Sequence, residues 1–115
     1  MTRDEILAMP AGRELDQLID ERFFGREFTT FPMGNCYHDG RRWVRSHNYS
    51  TDISDAWEVV EKLGDLFAVR KTPKGYIGHV ITDKNEEAIT CNSAPEAICK
   101  VALLVILEVK PDESN

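Results

Sequence analysis

The apolar run from Ala97 to Leu107 constrains the fold of this chain more than any other stretch. Ser93-Ala94-Pro95-Glu96 in front of it reads as a capping box, with proline in the first turn where its missing donor does no harm. The run therefore predicts a helix from Ala94 to about Val109, ended by Pro111. Its residues Ala97, Ile98, Val101, Ala102, Leu104, Val105 and Leu107 leave almost no polar side. A helix of that kind must be covered on more than one face. In a chain of 115 residues the expectation is that a neighbouring subunit supplies part of the cover, giving a homo-oligomer through the 94–109 helix. The run is about half a membrane span and contains Lys100, so no membrane association is expected. The opening residues Met1-Thr2-Arg3-Asp4-Glu5 show no signal-peptide pattern.

The remaining elements follow from period and punctuation. Thr2-x-x-Glu5 is a capping box that starts a helix at residue 3, and Pro10 interrupts it. Leu15, Leu18, Ile19 and Phe23 then make one helical stripe up to Gly25, with Asp16, Asp20 and Glu21 expected on a solvated face. Residues 26–49 hold Pro32, Gly34 and Gly40 and show no clean period, which reads as a long functional or mobile loop. Ser50-Thr51-Asp52 offers N-cap residues, and Ile53, Trp57 and Val60 recur at helical spacing until Gly64, with Trp57 expected in the core. Leu66–Lys71 and Tyr76–Thr82 alternate around the turn Thr72-Pro73-Lys74-Gly75, and Asp83–Glu86 turns the chain into Glu87–Cys91. The expected class is α+β: a three-stranded or larger antiparallel sheet layered with helices, in the order α-α-β-β-β-α. Length argues for one domain over residues 1–115, with a frayed tail at 111–115.

Charge narrows the function. Lys and Arg number 14 against 20 Asp and Glu, a net −6, so general nucleic-acid binding is not expected. Three cysteines (Cys36, Cys91 and Cys99) without paired spacing suit reduced thiols in a cytoplasmic setting. Against this acidic background, Cys36 to Tyr49 is basic, with Arg41, Arg42 and Arg45 opposing only Asp39. Arginine offers bidentate forks to phosphate. Tyr37, Trp43, Tyr49, His38 and His47 offer stacking faces to a base. The stretch runs into a helix start where Ser50 and Thr51 add hydroxyl and amide donors, although Asp52 competes for them. Together these ten residues suit a phosphate-bearing small ligand such as a nucleotide. The competing reading is a solvated loop pinned by its aromatic residues.

Catalytic and metal patterns are weak. There is no G-x-S-x-G, H-E-x-x-H or P-loop. Cys36 beside His38 is a possible thiolate pair without a recognisable orienting partner. Cys36, His38 and His47, with Asp39, make a soft ligand set that lacks the paired knuckles of structural zinc. No catalytic residue, cofactor or metal is expected. Cys91 and Cys99 read as small buried hydrophobes, His79 as a packed or surface strand residue, and Phe23, Phe24, Phe28 and Phe31 as core or as cover for a partner.

Three stretches resemble a known family. Tyr49-Ser50-Thr51-Asp52-Ile53-Ser54-Asp55-Ala56-Trp57-Glu58-Val59-Val60-Glu61-Lys62 is similar to a signature of small phage proteins with the phage ABA-sandwich domain. Ala94-Pro95-Glu96-Ala97-Ile98-Cys99 with Ala102-Leu103-Leu104 resembles that family's last helix, departing at Lys100-Val101. Ile6 to Asp16 resembles its usual start. The resemblance implies a sheet layered by helices, a phage or prophage origin and residence in the bacterial cytoplasm, without a settled activity. The function expected is a non-catalytic sponge that sequesters a nucleotide-derived bacterial immune signal. The rival expectations are a protein-binding inhibitor or DNA mimic acting through the acidic surface, and a Cys/His hydrolase or phosphodiesterase.

Overall fold

A computed structural model describes residues 2–63, 66–83 and 85–107. The expectations for Gly64, for Lys84 in the second turn, and for the helix end and tail beyond Leu107 lie outside the described residues.

The chain opens with α1 (Arg3–Ala8), whose capping box is complete: Glu5 N–H donates to Thr2 Oγ1 and Thr2 N–H to Glu5 Oε1. α2 (Arg13–Leu18) continues directly into a π-helical turn at Ile19–Phe23. Gly25 follows with φ of 68°, a left-handed stop. Six strands then form two antiparallel sheets. The first contains β1 (Glu27–Phe31), β2 (Gly34–His38) and β3 (Trp43–Arg45), in that order. α3 (Ile53–Leu63) leads to the second sheet, formed by β4 (Leu66–Thr72), β5 (Gly75–Ile81) and β6 (Glu86–Cys91). α4 (Ala94–Leu107) closes the described chain.

The second sheet and the helices match the expected α+β class and order. The first sheet is a correction: residues 26–49 were expected as a loop, yet most of them form a three-stranded meander. The prolines and glycines that broke the period are its hairpin turns. Pro32 and Met33 lie between β1 and β2, and Gly40, at φ of 100°, lies between β2 and β3.

α4 is the centre of the molecule. Every residue from Ala97 to Val105 is buried, Lys100 included. β4, β5 and β6 cover one side, and α1, α2, the π turn and α3 cover the other. The chain's own elements cover the stretch from Ala97 to Val105. The approach to β5 is so close that a Cβ on Gly78 would sit 2.9 Å from the Ala97 carbonyl oxygen. Lys100 is tolerated because its Nζ donates to Glu96 Oε2 and to the Leu7 carbonyl in the last turn of α1, where a cation opposes the helix dipole. Glu96 is drawn to Lys100, so only the Ser93 hydroxyl half of the expected second capping box forms.

α3 packs through Ala56, Val59, Val60 and Leu63. Trp57, expected in the core, is 48% exposed, and Ile53 is equally exposed. Ala56 and Val59 are fully buried on α3, which packs against α4. Among the described residues no helix is long and apolar enough to cross a membrane.

Candidate functional site

Asp16 and Asp20, expected on a solvated face, are both buried. The extra residue in the π turn brings Asp20 inward with Ile19 and Phe23. The Tyr49 hydroxyl donates to Asp20 Oδ1 at 2.8 Å, the Ser46 hydroxyl to Oδ2 at 2.6 Å, and Arg26 Nη1 to Oδ1 at 3.3 Å. The Arg26 guanidinium lies between the Phe24 and Tyr37 rings, 4.2 Å from each centroid. Asp16 accepts both the Ser50 N–H and the Ser50 hydroxyl. Burial is the largest influence on Asp16 and raises its pKa above the usual carboxylate value. Burial first, and Asp20 second, push the Tyr49 hydroxyl well above the ordinary phenol range, so it serves as a fixed donor.

These contacts divide the ten sequence-selected residues. Tyr37, Tyr49 and Ser50 are buried members of this network and offer no open face to a ligand. The His47 ring lies against both tyrosines, 5.9 Å from Tyr37 and 5.6 Å from Tyr49. Thr51 is exposed, but the first amides of α3, on Ser54 and Asp55, both donate to Asp52 Oδ1. The donors expected to hold an anion are therefore taken by the N-cap carboxylate.

The other five residues gather on the first sheet. His38 pairs with Trp43 in the β2–β3 register, while Tyr37 pairs with Val44 on the inner face. Alternation puts His38, Trp43 and Arg45 on the outer face. Trp43 is 40% exposed, with Phe31 and His38 edge-on to it at 5.5 and 5.1 Å. Arg41 and Arg42 occupy the turn before β3, where Asp39 Oδ1 accepts both of their amides. Those amides are the main cause holding the Asp39 pKa below its usual value. Trp43 is thus flanked along the chain by two arginines on one side and one on the other. Among the described residues none of these three guanidiniums lies within ion-pair distance of a carboxylate.

Arg45 also borders a cavity of about 330 Å³ with Arg13, Asn35, Ser46 and His47. A second hollow of about 440 Å³ adjoins it, sharing Arg13 and Asn35. Arg13 was missed in the sequence because it belongs to α2; among the described residues its guanidinium donates to Asn35 Oδ1 alone, at 3.4 Å.

Neither alternative chemistry is assembled around Cys36. Its thiol donates to the Gly34 carbonyl, while His38 Nδ1 accepts from the Gly40 amide. His47 lies against the inner-face Tyr37, so the Cys36/His38/His47 zinc set is split between the two faces of the sheet.

Residues 17–103 match the phage ABA sandwich domain. The chain belongs to that family. A solved relative, a phage protein from Bacillus cereus ATCC 14579 with a 2.0 Å crystal structure, is 34% identical. The similarity covers 88% of this chain and 90% of that one, with a TM-score of 0.73. No curated protein matches. In this member of the ABA sandwich family, Arg41, Arg42, Trp43 and Arg45 all fall on the first sheet or at its edge.

Proposed function

We propose that this phage ABA sandwich protein is a non-catalytic binding protein for a phosphate-bearing, nucleotide-derived ligand, held on the outer face of the first sheet. The carrying observation is that Arg41, Arg42 and Arg45, none of them ion-paired to a carboxylate among the described residues, flank the exposed Trp43 along the chain, with Arg45 Nη2 donating to the Met33 carbonyl at 2.9 Å. Arginine forks suit phosphate oxygens, and Trp43, propped by Phe31 and His38, suits a base. In a phage protein, tight binding without turnover acts by sequestration, and a nucleotide-derived bacterial immune signal is the ligand class that this role selects.

Tryptophan fluorescence in a Trp57→Phe background tests the reading. Cyclic dinucleotides or ADP-ribose derivatives should quench Trp43 saturably. Each bound phosphate contact is worth about 1.5–3 kcal/mol, so Arg42→Ala or Arg45→Ala should weaken binding by roughly tenfold or more. Emission that is unchanged at millimolar ligand would overturn it.

A second reading is favoured by Ile53 and Trp57, one turn apart and both exposed on α3 beside Glu58 and Glu61: a surface for a host protein. A stoichiometric protein partner retained by wild type and lost in Trp57→Ala supports that reading instead.

A further inference from the structure

His47, Asp55 and Glu58 bring one ligand atom each within 4.8 Å of one another. We infer that they form a site for a first-row divalent transition metal ion, such as zinc or cobalt.

The arrangement is built from both sides. Asp55 and Glu58 stand three residues apart on α3, so one helical face presents both carboxylates. His47 comes from the segment after β3. Its Nδ1 lies 3.8 Å from Asp55 Oδ1 and 3.7 Å from Glu58 Oε2. Both separations are too long for a hydrogen bond, so the imidazole points between the carboxylates without closing on either. Two donors about 2.1 Å from a tetrahedral ion stand about 3.4 Å apart. A few tenths of an ångström of contraction would therefore seat one.

The outer contacts favour the same assignment. With a metal on Nδ1, the proton belongs on Nε2, which faces the Tyr37 hydroxyl at 3.4 Å. A partner on the second ring nitrogen, fixing tautomer and orientation, is the usual companion of a metal-ligating histidine. Tyr37 is itself held beneath Arg26, and the ring of Tyr49 also lies beside His47. Asp55 Oδ2 accepts the Asn48 N–H, which leaves Oδ1 for the ion. Among the described residues Glu58 has no partner except His47, and neither carboxylate pairs with a lysine or arginine. No lysine or arginine among the described residues neutralises either carboxylate. One nitrogen and two oxygens suit a transition metal better than calcium or magnesium, which prefer all-oxygen shells. Three protein ligands leave at least one position open, and His47 also lines the cavity beside Arg45, through which water or a ligand oxygen can arrive.

The site is tested without nucleotide. The full-length protein, dialysed against EDTA, is titrated with cobalt by visible absorption and with zinc by calorimetry. One site per chain with micromolar or tighter affinity is expected. Glu58→Gln and Asp55→Asn should weaken it at least about tenfold, and Tyr37→Phe should weaken it less. His79→Gln, which alters the other histidine–carboxylate pair, at His79–Glu86, should change nothing. Unchanged melting curves establish that Glu58→Gln is folded, so loss of binding there reads the site rather than the fold. Absence of saturable binding below millimolar metal would overturn the inference, as would binding that survives Glu58→Gln and disappears with His79→Gln. Nucleotide titration of the EDTA-treated protein reports separately on the first-sheet surface.

Discussion

Arg26 is the perturbation with the largest expected effect outside the central helix. Its guanidinium supplies the charge that neutralises Asp20, a fully buried carboxylate, and fills the space between two aromatic rings. Removing one partner of a buried pair costs about 3–5 kcal/mol. The Arg26 side chain keeps 26% exposure and its bond is 3.3 Å long, so the lower end applies, about 3 kcal/mol. Losing the two ring contacts adds about 1 kcal/mol. Arg26→Ala should therefore lower stability by about 4 kcal/mol, which for a chain of this size is roughly 15 °C in melting temperature. Urea unfolding measures the loss. The Asp20→Asn/Arg26→Met pair should be less damaging than the sum of its single changes, because no unpaired charge remains. A loss below about 1 kcal/mol for Arg26→Ala, or strict additivity in the pair, would refute the buried-charge explanation.

Three further outcomes are expected. Gly78→Ala forces a methyl against the Ala97 backbone and should cost about 1–3 kcal/mol by chemical denaturation, whereas Ala88→Gly at an exposed strand position should cost less. Burial pushes Cys91 up to about 11 and holds Cys99, which is fully buried, well above the ordinary thiol value, so at mildly alkaline pH a thiol reagent should leave Cys99 unmodified and react slowly with Cys91 until urea is added. The raised pKa of Asp16 favours the fold below the ordinary value of 3.8, and that contribution is lost as pH rises through the raised value. The stability of wild type relative to Asp16→Asn should thus improve on acidification from neutral pH towards 3.8, measured by paired urea titrations.

Local signals made parts of this molecule legible from its sequence. Alternation rich in aromatic and β-branched residues over Leu66–Lys71 and Tyr76–Thr82, with a turn between them, identified β4 and β5, and the Thr2–Glu5 pair located the start of α1. Signals carried by distant partners were missed. Asp16 and Asp20 look like surface acids until Ser50, Tyr49 and Ser46 arrive from 26 to 34 residues away. Trp57 was assigned to the core because it shares a helical stripe with Ile53 and Val60, yet the buried face of α3 is the one that carries Ala56 and Val59. In β1 to β3 the turn residues were read as evidence against strands, although Phe31-Pro32-Met33-Gly34 and Asp39-Gly40 are the hairpin signals themselves. Of the site, the arginine cluster and Trp43 were visible because they are contiguous. Arg13, Asp55 and Glu58 were not, because folding alone brings them beside the segment that carries Arg45 and His47.

Isothermal titration of wild type, Trp43→Ala and the Arg41→Ala/Arg42→Ala/Arg45→Ala variant against cyclic dinucleotides and ADP-ribose derivatives addresses the first-sheet surface most directly. Saturable micromolar or tighter binding of at least one compound is expected. Stacking worth about 1–3 kcal/mol per base should make Trp43→Ala weaker by roughly fivefold or more, and the triple variant should not bind. Silence across the panel at protein concentrations well above micromolar, or equal affinity in all three proteins, would contradict the proposed site.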